Sequence, residues 1–273
     1  VTTVTENSST SMLVISSTSN AYTGTTTITA GTLKLGAAGV IPDASAVTIT
    51  GTLDLGGYSE TVGSITGAGT ITSSATGTLV LTTGGDNTST SFSGVIQNGS
   101  ATSVALVKAG SGTLTLGGAT NSTYTGGTTI KAGTVQVSTN GTALGTGGVT
   151  LGDTTGNNAA SLLVGTAGLS IGNAITLATN ASVGTLTIGT TGSLADNVTF
   201  TGGVTGSNSF TIANTINTSA KSLIFSTGAI NNTGALTNTG TGSGSTSISA
   251  AIGSNVTTVT ESSTSSALTI SGG

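Results

Sequence analysis

Tyr22-Thr23-Gly24-Thr25-Thr26-Thr27-Ile28-Thr29-Ala30-Gly31-Thr32-Leu33-Lys34-Leu35 decides the fold. Large apolar residues alternate with Thr or Lys on either side of Ala30-Gly31. Alternation with a period of two puts Leu33 and Leu35 on one face of an extended strand and Thr32 and Lys34 on the other. Ala30-Gly31 interrupts the alternation where the backbone must bend. The stretch therefore reads as strand, one-glycine corner, strand. It returns 102 residues later as Tyr124-Thr125-Gly126-Gly127-Thr128-Thr129-Ile130-Lys131-Ala132-Gly133-Thr134-Val135.

Shorter copies extend the pattern. Gly-Thr-(Leu/Val)-x-(Leu/Val/Ile) starts at Gly31, Gly51, Gly77, Gly112, Gly133 and Gly184, at intervals of 20, 26, 35, 21 and 51 residues. The shorter intervals suit one coil of a solenoid and the longest suits about two. Leu162-Leu163-Val164, Ala174-Ile175-Thr176-Leu177, Phe210-Thr211-Ile212 and Leu223-Ile224-Phe225 are too short for helices and most are flanked by Gly, so they read as strands. Pro42, the one proline, sits in an expected turn, Ile41-Pro42-Asp43-Ala44.

A third repeat has a longer period. Val1-Thr2-Thr3-Val4-Thr5-Glu6 recurs identically as Val256-Thr257-Thr258-Val259-Thr260-Glu261, and 256–271 matches 1–16 at 11 of 16 positions. The offset suggests a 255-residue superperiod. At ~20–25 residues per coil this corresponds to about 10–13 coils. With no linker or charge block, residues 1–273 are expected to form a single continuous β-helix fragment.

Composition narrows the function. The 63 Thr, 38 Ser and 45 Gly fill more than half of the 273 residues, and only 4% are charged. There is no His, Cys, Trp or Arg. That excludes His-ligated metals, Cys nucleophiles and Ser-His-Asp triads. A net charge of −4 without arginine excludes ordinary phosphate-backbone binding. No apolar run reaches the ~18–20 residues of a spanning helix. Val1-Thr2-Thr3-Val4 has neither a basic nor an apolar leader region, so an export signal is expected outside this stretch. Positive mean hydropathy and short Val/Ile/Leu alternations point away from disorder and toward an all-β fold.

The residues that carry these patterns resemble the autotransporter-associated β-strand repeat, also called the passenger-associated transport repeat. Gly110-Ser111-Gly112-Thr113-Leu114-Thr115-Leu116, the Tyr124–Val135 stretch and Ala143-Leu144-Gly145-Thr146-Gly147-Gly148-Val149-Thr150-Leu151 carry the resemblance. So do Ile41–Ile49, Leu53–Tyr58 and Thr61–Thr70. The match is best over 19–151 and weaker over 152–255. The resemblance implies a right-handed parallel β-helix (a β-solenoid), elongated, in a bacterial passenger at the cell surface. It also implies a stalk whose repeats carry no catalytic residues.

Asp86 and Asp153 lie in Gly-rich turns, where Asp ordinarily bonds its own backbone. Asp54 and Glu60 are six residues apart, but nothing in the sequence brings them together as a catalytic pair. Gly84-Gly85-Asp86-Asn87 lacks the period of a calcium-binding repeat. Glycine strings such as Gly67-Ala68-Gly69 lack the strand-to-helix context of a phosphate loop. No catalytic, cofactor-binding or metal site is therefore expected, and no enzyme. Tyr22 and Tyr124 are expected to pack at coil corners, and Lys34 and Lys131 to lie outward and keep edges soluble. Asn98-Gly99-Ser100 and Asn197-Val198-Thr199 are glycosylation triplets of the kind so Thr/Ser-rich a chain produces by chance.

The expected function is a structural module of an extracellular surface fibre, filament, sheath or adhesin stalk. Its expected partner is itself, head to tail or laterally, with no nucleic acid and no membrane insertion. The alternative is an adhesin holding a glycan or protein. A minor alternative is an ice-binding threonine ladder, suggested by runs such as Thr25-Thr26-Thr27-Ile28-Thr29. The unequal intervals argue against the constant register such a ladder needs.

Overall fold

The computed structural model describes residues 1–180 and 184–272. The expected single domain over 1–273 also includes 181–183 and 273, which lie outside the described residues. The described residues are all-β, built from short parallel strands in about 11 solenoid turns. The chain divides into two compact units, Val1–Thr129 with Thr142–Gly147, and Ile130–Gly141 with Gly148–Gly273.

In the first unit, β1 (Val4–Glu6) and β2 (Met12–Ile15) make one coil, and β3 (Thr26–Ile28) and β4 (Thr32–Leu35) make the next. β3 stacks on β1 and β4 on β2, both in parallel register. The first ladder continues through Ala46–Ile49 to Ser64–Thr66, the second through Thr52–Asp54 and Thr70–Thr72 to Val95–Ile96. A third ladder pairs Glu60–Thr61, Thr78–Thr83 and Ser103–Lys108. The fourth pairs Thr90–Phe92 with Thr113–Leu116.

The second unit repeats the plan. One ladder runs Gly133–Val137, Ala160–Val164, Leu186–Thr190, Phe210–Ala213, Gly234–Asn238 and Val256–Glu261. A second runs through Val149–Leu151, Ile175–Leu177 and Val204–Gly206. A third runs through Ser170–Ile171, Val198–Phe200, Ser222–Phe225, Ser245–Ile248 and Leu268–Ile270. The four short apolar runs singled out in the sequence fall in these strands, apart from Ala174, which immediately precedes Ile175–Leu177.

Alternation makes the core. Leu33, Leu53, Ile71 and Ile96 form one buried column in the first unit. Val135, Leu162, Ile188 and Ile212 form another in the second. Phe200 stacks on Phe225 with ring centroids 5.3 Å apart, the offset geometry that aromatic pairs favour. The expected turn at Pro42 is present, closed by Ser45 N–H donating to the Pro42 carbonyl at 2.8 Å.

Gly31 shows why corners need glycine. Its φ is +65°, and a Cβ there would lie 2.0 Å from the Ser8 carbonyl oxygen of the preceding coil. Gly133, the equivalent corner, has φ +66°. Gly31→Ala is expected to cost about 2–4 kcal/mol, combining a left-handed backbone with a backbone clash. Gly39 has the same φ, +66°, but nothing within 4 Å. Gly39→Ala is expected to cost only about 1 kcal/mol. Urea unfolding of the two variants separates steric from conformational cost.

Candidate functional site

The structure places the acidic candidates within the scaffold. Asp54 is buried, and its Oδ1 accepts Gly56 N–H at 2.9 Å and Ser74 N–H at 2.8 Å. Its Oδ2 lies 3.9 Å from Lys34 Nζ, which also donates to Ser74 Oγ at 2.8 Å. Glu60 is buried on a different ladder, accepting Val40 N–H at 3.2 Å and Ile41 N–H at 3.3 Å. Burial pushes the Glu60 carboxyl above its ordinary range against the pull of these N–H groups. Each carboxylate thus closes its own corner.

Asp86 makes the expected local turn, its Oδ1 accepting Thr88 N–H at 3.0 Å and Thr88 Oγ1 at 2.8 Å. Burial alone would raise its pKa, but hydrogen bonds from Ser64 and Thr88, with the Lys108 charge, outweigh it and leave the pKa lowered. Asp153 contributes its main-chain carbonyl, which accepts Asn180 Nδ2 at 3.0 Å. Lys131 is exposed, as its outward position implied. Lys221 pairs with Asp196 at 2.7 Å on the surface. Among the described residues no three His, Cys, Asp or Glu gather as a metal site.

The two tyrosines are corner posts. Tyr124 is fully buried and Tyr22 nearly so. Each phenol meets a threonine four residues on, Tyr22 Oη to Thr26 Oγ1 and Tyr124 Oη to Thr128 Oγ1, both at 2.6 Å. Thr26 Oγ1 continues to Ser45 Oγ at 3.0 Å, and Thr128 Oγ1 donates to the Leu144 carbonyl at 3.3 Å. The repeat therefore conserves a hydrogen-bond chain from one coil corner to the next. Desolvation pushes both phenols above the ordinary tyrosine range.

Lys108 is the buried cation that composition concealed. It ends Ser103–Lys108 at an inward position, in line with Val104 and Leu106. Its Nζ donates to the carbonyls of Ala109 and of Gly110, the latter at 2.8 Å. Val104-Ala105-Leu106-Val107 is apolar throughout, so the sequence held no alternation to mark Lys108 as inward; the burial pattern of the strand places it there. Burial pushes its pKa down to about 8, with Asp86 opposing. The unfolded chain holds this proton up to about 10.5, and the folded chain releases it near 8. The unfolded state therefore binds more protons in that window, so stability rises with pH across it. Thermal unfolding is expected to shift upward between pH 7.5 and 9.5, with Lys108→Met flattening the rise.

Threonines line the outer faces in register. Thr5, Thr27, Thr48 and Thr66 face one another on successive strands of the first unit. In the second unit Thr134, Ser161, Thr187, Thr211, Thr237 and Thr260 form a six-rung hydroxyl row. The unequal intervals were expected to break such rows and do not. Extra residues loop out at the corners, leaving strand pairing intact. The column beside this row is mixed, with Gln136, Leu163, Gly189 and Ala213 at successive rungs. A groove lies in the second unit, over Leu186, Phe210 and Thr211, and its polar rim is Asn208, Ser209 and Thr237.

Asparagines, half-buried at Asn208 and buried at Asn214 and Asn232, form a second scaffold that sequence reasoning missed. In the second unit Asn208 Nδ2 donates to the Ala178 carbonyl, and to the Asn180 carbonyl at 3.2 Å. Asn232 Nδ2 then donates to the Asn208 carbonyl at 2.8 Å. Asn214 donates to Gly244 O at 3.0 Å, Ser245 O at 2.9 Å and Ser266 Oγ at 3.0 Å. Its Oδ1 accepts Ile216 N–H at 3.0 Å. The two glycosylation triplets also carry engaged amides: Asn98 Nδ2 donates to Thr125 Oγ1 at 2.9 Å, and Asn197 Oδ1 accepts Ser222 N–H at 2.8 Å.

Corner glycines, corner tyrosines and parallel ladders define a β-solenoid repeat protein. The family model of the passenger-associated-transport-repeat matches residues 8–35 and 106–137. Both matched stretches end at equivalent positions of the 102-residue repeat, Leu35 and Val137. No match was found among curated proteins or among solved structures. No helix among the described residues is long and apolar enough to cross a membrane.

Proposed function

We propose that the chain is a structural segment of a bacterial surface passenger, a β-helical piece of a fibre, filament, sheath or adhesin stalk that associates with itself. The observation that carries this reading is where the polar side chains go. Asp54, Glu60, Asp86, Lys108 and the buried asparagines bond main-chain groups at coil corners, and hydroxyls coat the outer strands. Such an arrangement ties these side chains to the main chain and stiffens a scaffold. A low charge density also weakens the repulsion that keeps most proteins apart. A glycan array tests the reading: a stalk shows no saturable binding.

The six-rung hydroxyl row favours one alternative, an outer face that holds a glycan. Its hydroxyls repeat at the ~4.8 Å strand spacing. Saturable binding lost on Thr211→Val with Thr237→Val would favour that adhesin over a stalk.

A further inference from the structure

Four lysines carry all the positive side-chain charge, and three of them are engaged. Lys34 pairs with Asp54 at 3.9 Å, and Lys221 pairs with Asp196 at 2.7 Å. Lys108 is buried, its Nζ on the Gly110 carbonyl at 2.8 Å. Lys131 is different: it is exposed at a coil corner and makes no ion pair among the described residues. The repeat does not require a cation there, because the equivalent residue of the first copy of the motif is Thr29. The next coil brings Asp153 close in sequence register, since Gly152 N–H donates to the Ile130 carbonyl at 2.9 Å. The Asp153 carboxylate nevertheless turns into its own loop, with Oδ2 3.0 Å from where a Cβ on Gly156 would stand.

A cleft in the first unit has the opposite character. Asp43 and Glu60 both line it, with the hydroxyl-bearing Thr61 and Thr82 beside them and Val80 as an apolar wall. Gly39 stands at its rim, where an added Cβ would meet nothing within 4 Å, so the mouth is open. Asp43 is exposed and makes no ion pair among the described residues. Its equivalent in the second copy of the motif is Gly145, so the turn does not depend on a carboxylate. Glu60 is buried and accepts its two N–H groups at 3.2 and 3.3 Å, which leaves lone pairs on both oxygens. The cleft holds about 160 Å³. Pockets for small molecules run to roughly 300–1,000 Å³. This one has the size for the tip of a side chain.

The acidic pair lacks a counter-charge of its own. Burial foremost, and the Asp43 charge with it, push the Glu60 carboxyl up against the pull of the Val40, Ile41 and Gly39 N–H groups. A cation seated between the two carboxylates relieves the Asp43 repulsion and favours the ionised form of Glu60.

We infer that this cleft receives the Lys131 side chain of a second copy of this chain. This rests on the self-association proposed above and names one contact of it. The lysine stem lies along Val80 while its ammonium, with three N–H donors, reaches Asp43, Glu60 and a threonine hydroxyl. In a chain with so few charges, one unpaired cation and one doubly acidic cleft select each other with little competition. Such complementarity fixes the register of association more than its strength, and the uncharged faces around it supply the contact area. The contact joins the first unit of one copy to the second unit of another. Two different surfaces meet, so the contact is heterologous and can propagate from copy to copy.

Carbodiimide coupling, which joins an amine to a carboxylate already beside it, tests the contact in the unaltered chain. Isotope-labelled and unlabelled copies are mixed, assembled, coupled and digested. The expected product links Lys131 to Asp43 or Glu60, with one isotope on each side. A Lys131 link found only within single copies, or only to other carboxylates, would overturn the inference. Two variants give a second reading. Lys131→Thr installs the residue that the first copy of the motif carries, and Asp43→Asn keeps size and shape, so both are expected to fold. Each is expected to weaken self-association about tenfold in sedimentation velocity. Assembly unchanged in both variants sinks this contact alone, whereas a wild-type chain that stays monomeric at every concentration sinks self-association with it.

Discussion

Tyr124→Ala is expected to lower the unfolding free energy by about 3–5 kcal/mol, the cost of emptying a large buried aromatic site. Tyr124 is the largest of the fully buried side chains and closes its corner in two ways. Its ring fills the corner, and its phenol holds Thr128 at 2.6 Å. The main chain relies on it too, since Thr146 N–H donates to the Tyr124 carbonyl at 3.0 Å. A Cβ placed on Gly145 would lie 2.9 Å from the ring, so the neighbouring corner is moulded to it. Tyr124→Phe keeps the ring and loses the hydroxyl, which costs about 1–2 kcal/mol. Urea unfolding followed by circular dichroism ranks the two. An alanine variant no less stable than the phenylalanine variant would mean the corner does not depend on the ring.

Asn214→Leu has the second largest expected effect, a loss of roughly 3–5 kcal/mol from several buried partners left unsatisfied at once. Leucine nearly matches asparagine in size, so the cavity term is small. Gly244 O, Ser245 O and Ile216 N–H all lose a partner to the same substitution. Asn214→Asp keeps an acceptor for Ile216 N–H but loses the amide donors and adds a buried charge, so it is expected to fare no better. Thermal unfolding checks both variants. A leucine variant within about 0.5 kcal/mol of wild type, the range of ordinary surface substitutions, would show that the amide chain is incidental.

Much of the fold was legible because its signals are local. Ile28, Leu33 and Leu35 alternate, Gly31 breaks the run, and each feature appears where the sequence put it. Tyr22 and Tyr124 stood out because aromatics are rare and these two share a repeat position. The hydroxyl rows were not legible, because intervals along the chain mix strand length with corner length. From Thr5 the rungs are 22, 21 and 18 residues apart, yet the ladder stays in register. Asn208, Asn214 and Asn232 were hidden for a different reason. In a chain dense in Thr, Ser and Asn, no short pattern tells an amide that turns inward from one that meets water. Lys108 was not readable, because the preceding Val104-Ala105-Leu106-Val107 is apolar on both faces and a lysine ending such a run reads as outward. The acidic candidates were placed correctly as turn formers at Asp86. At Asp54 and Glu60 the burial and backbone bonding emerge only when neighbouring coils are stacked.

Electron microscopy of the purified chain over a rising concentration series tests the central claim most directly. A self-associating structural module predicts head-to-tail chains that lengthen with concentration and bind no glycan. Single particles that stay unassociated at every concentration, yet take up a glycan saturably, would contradict it.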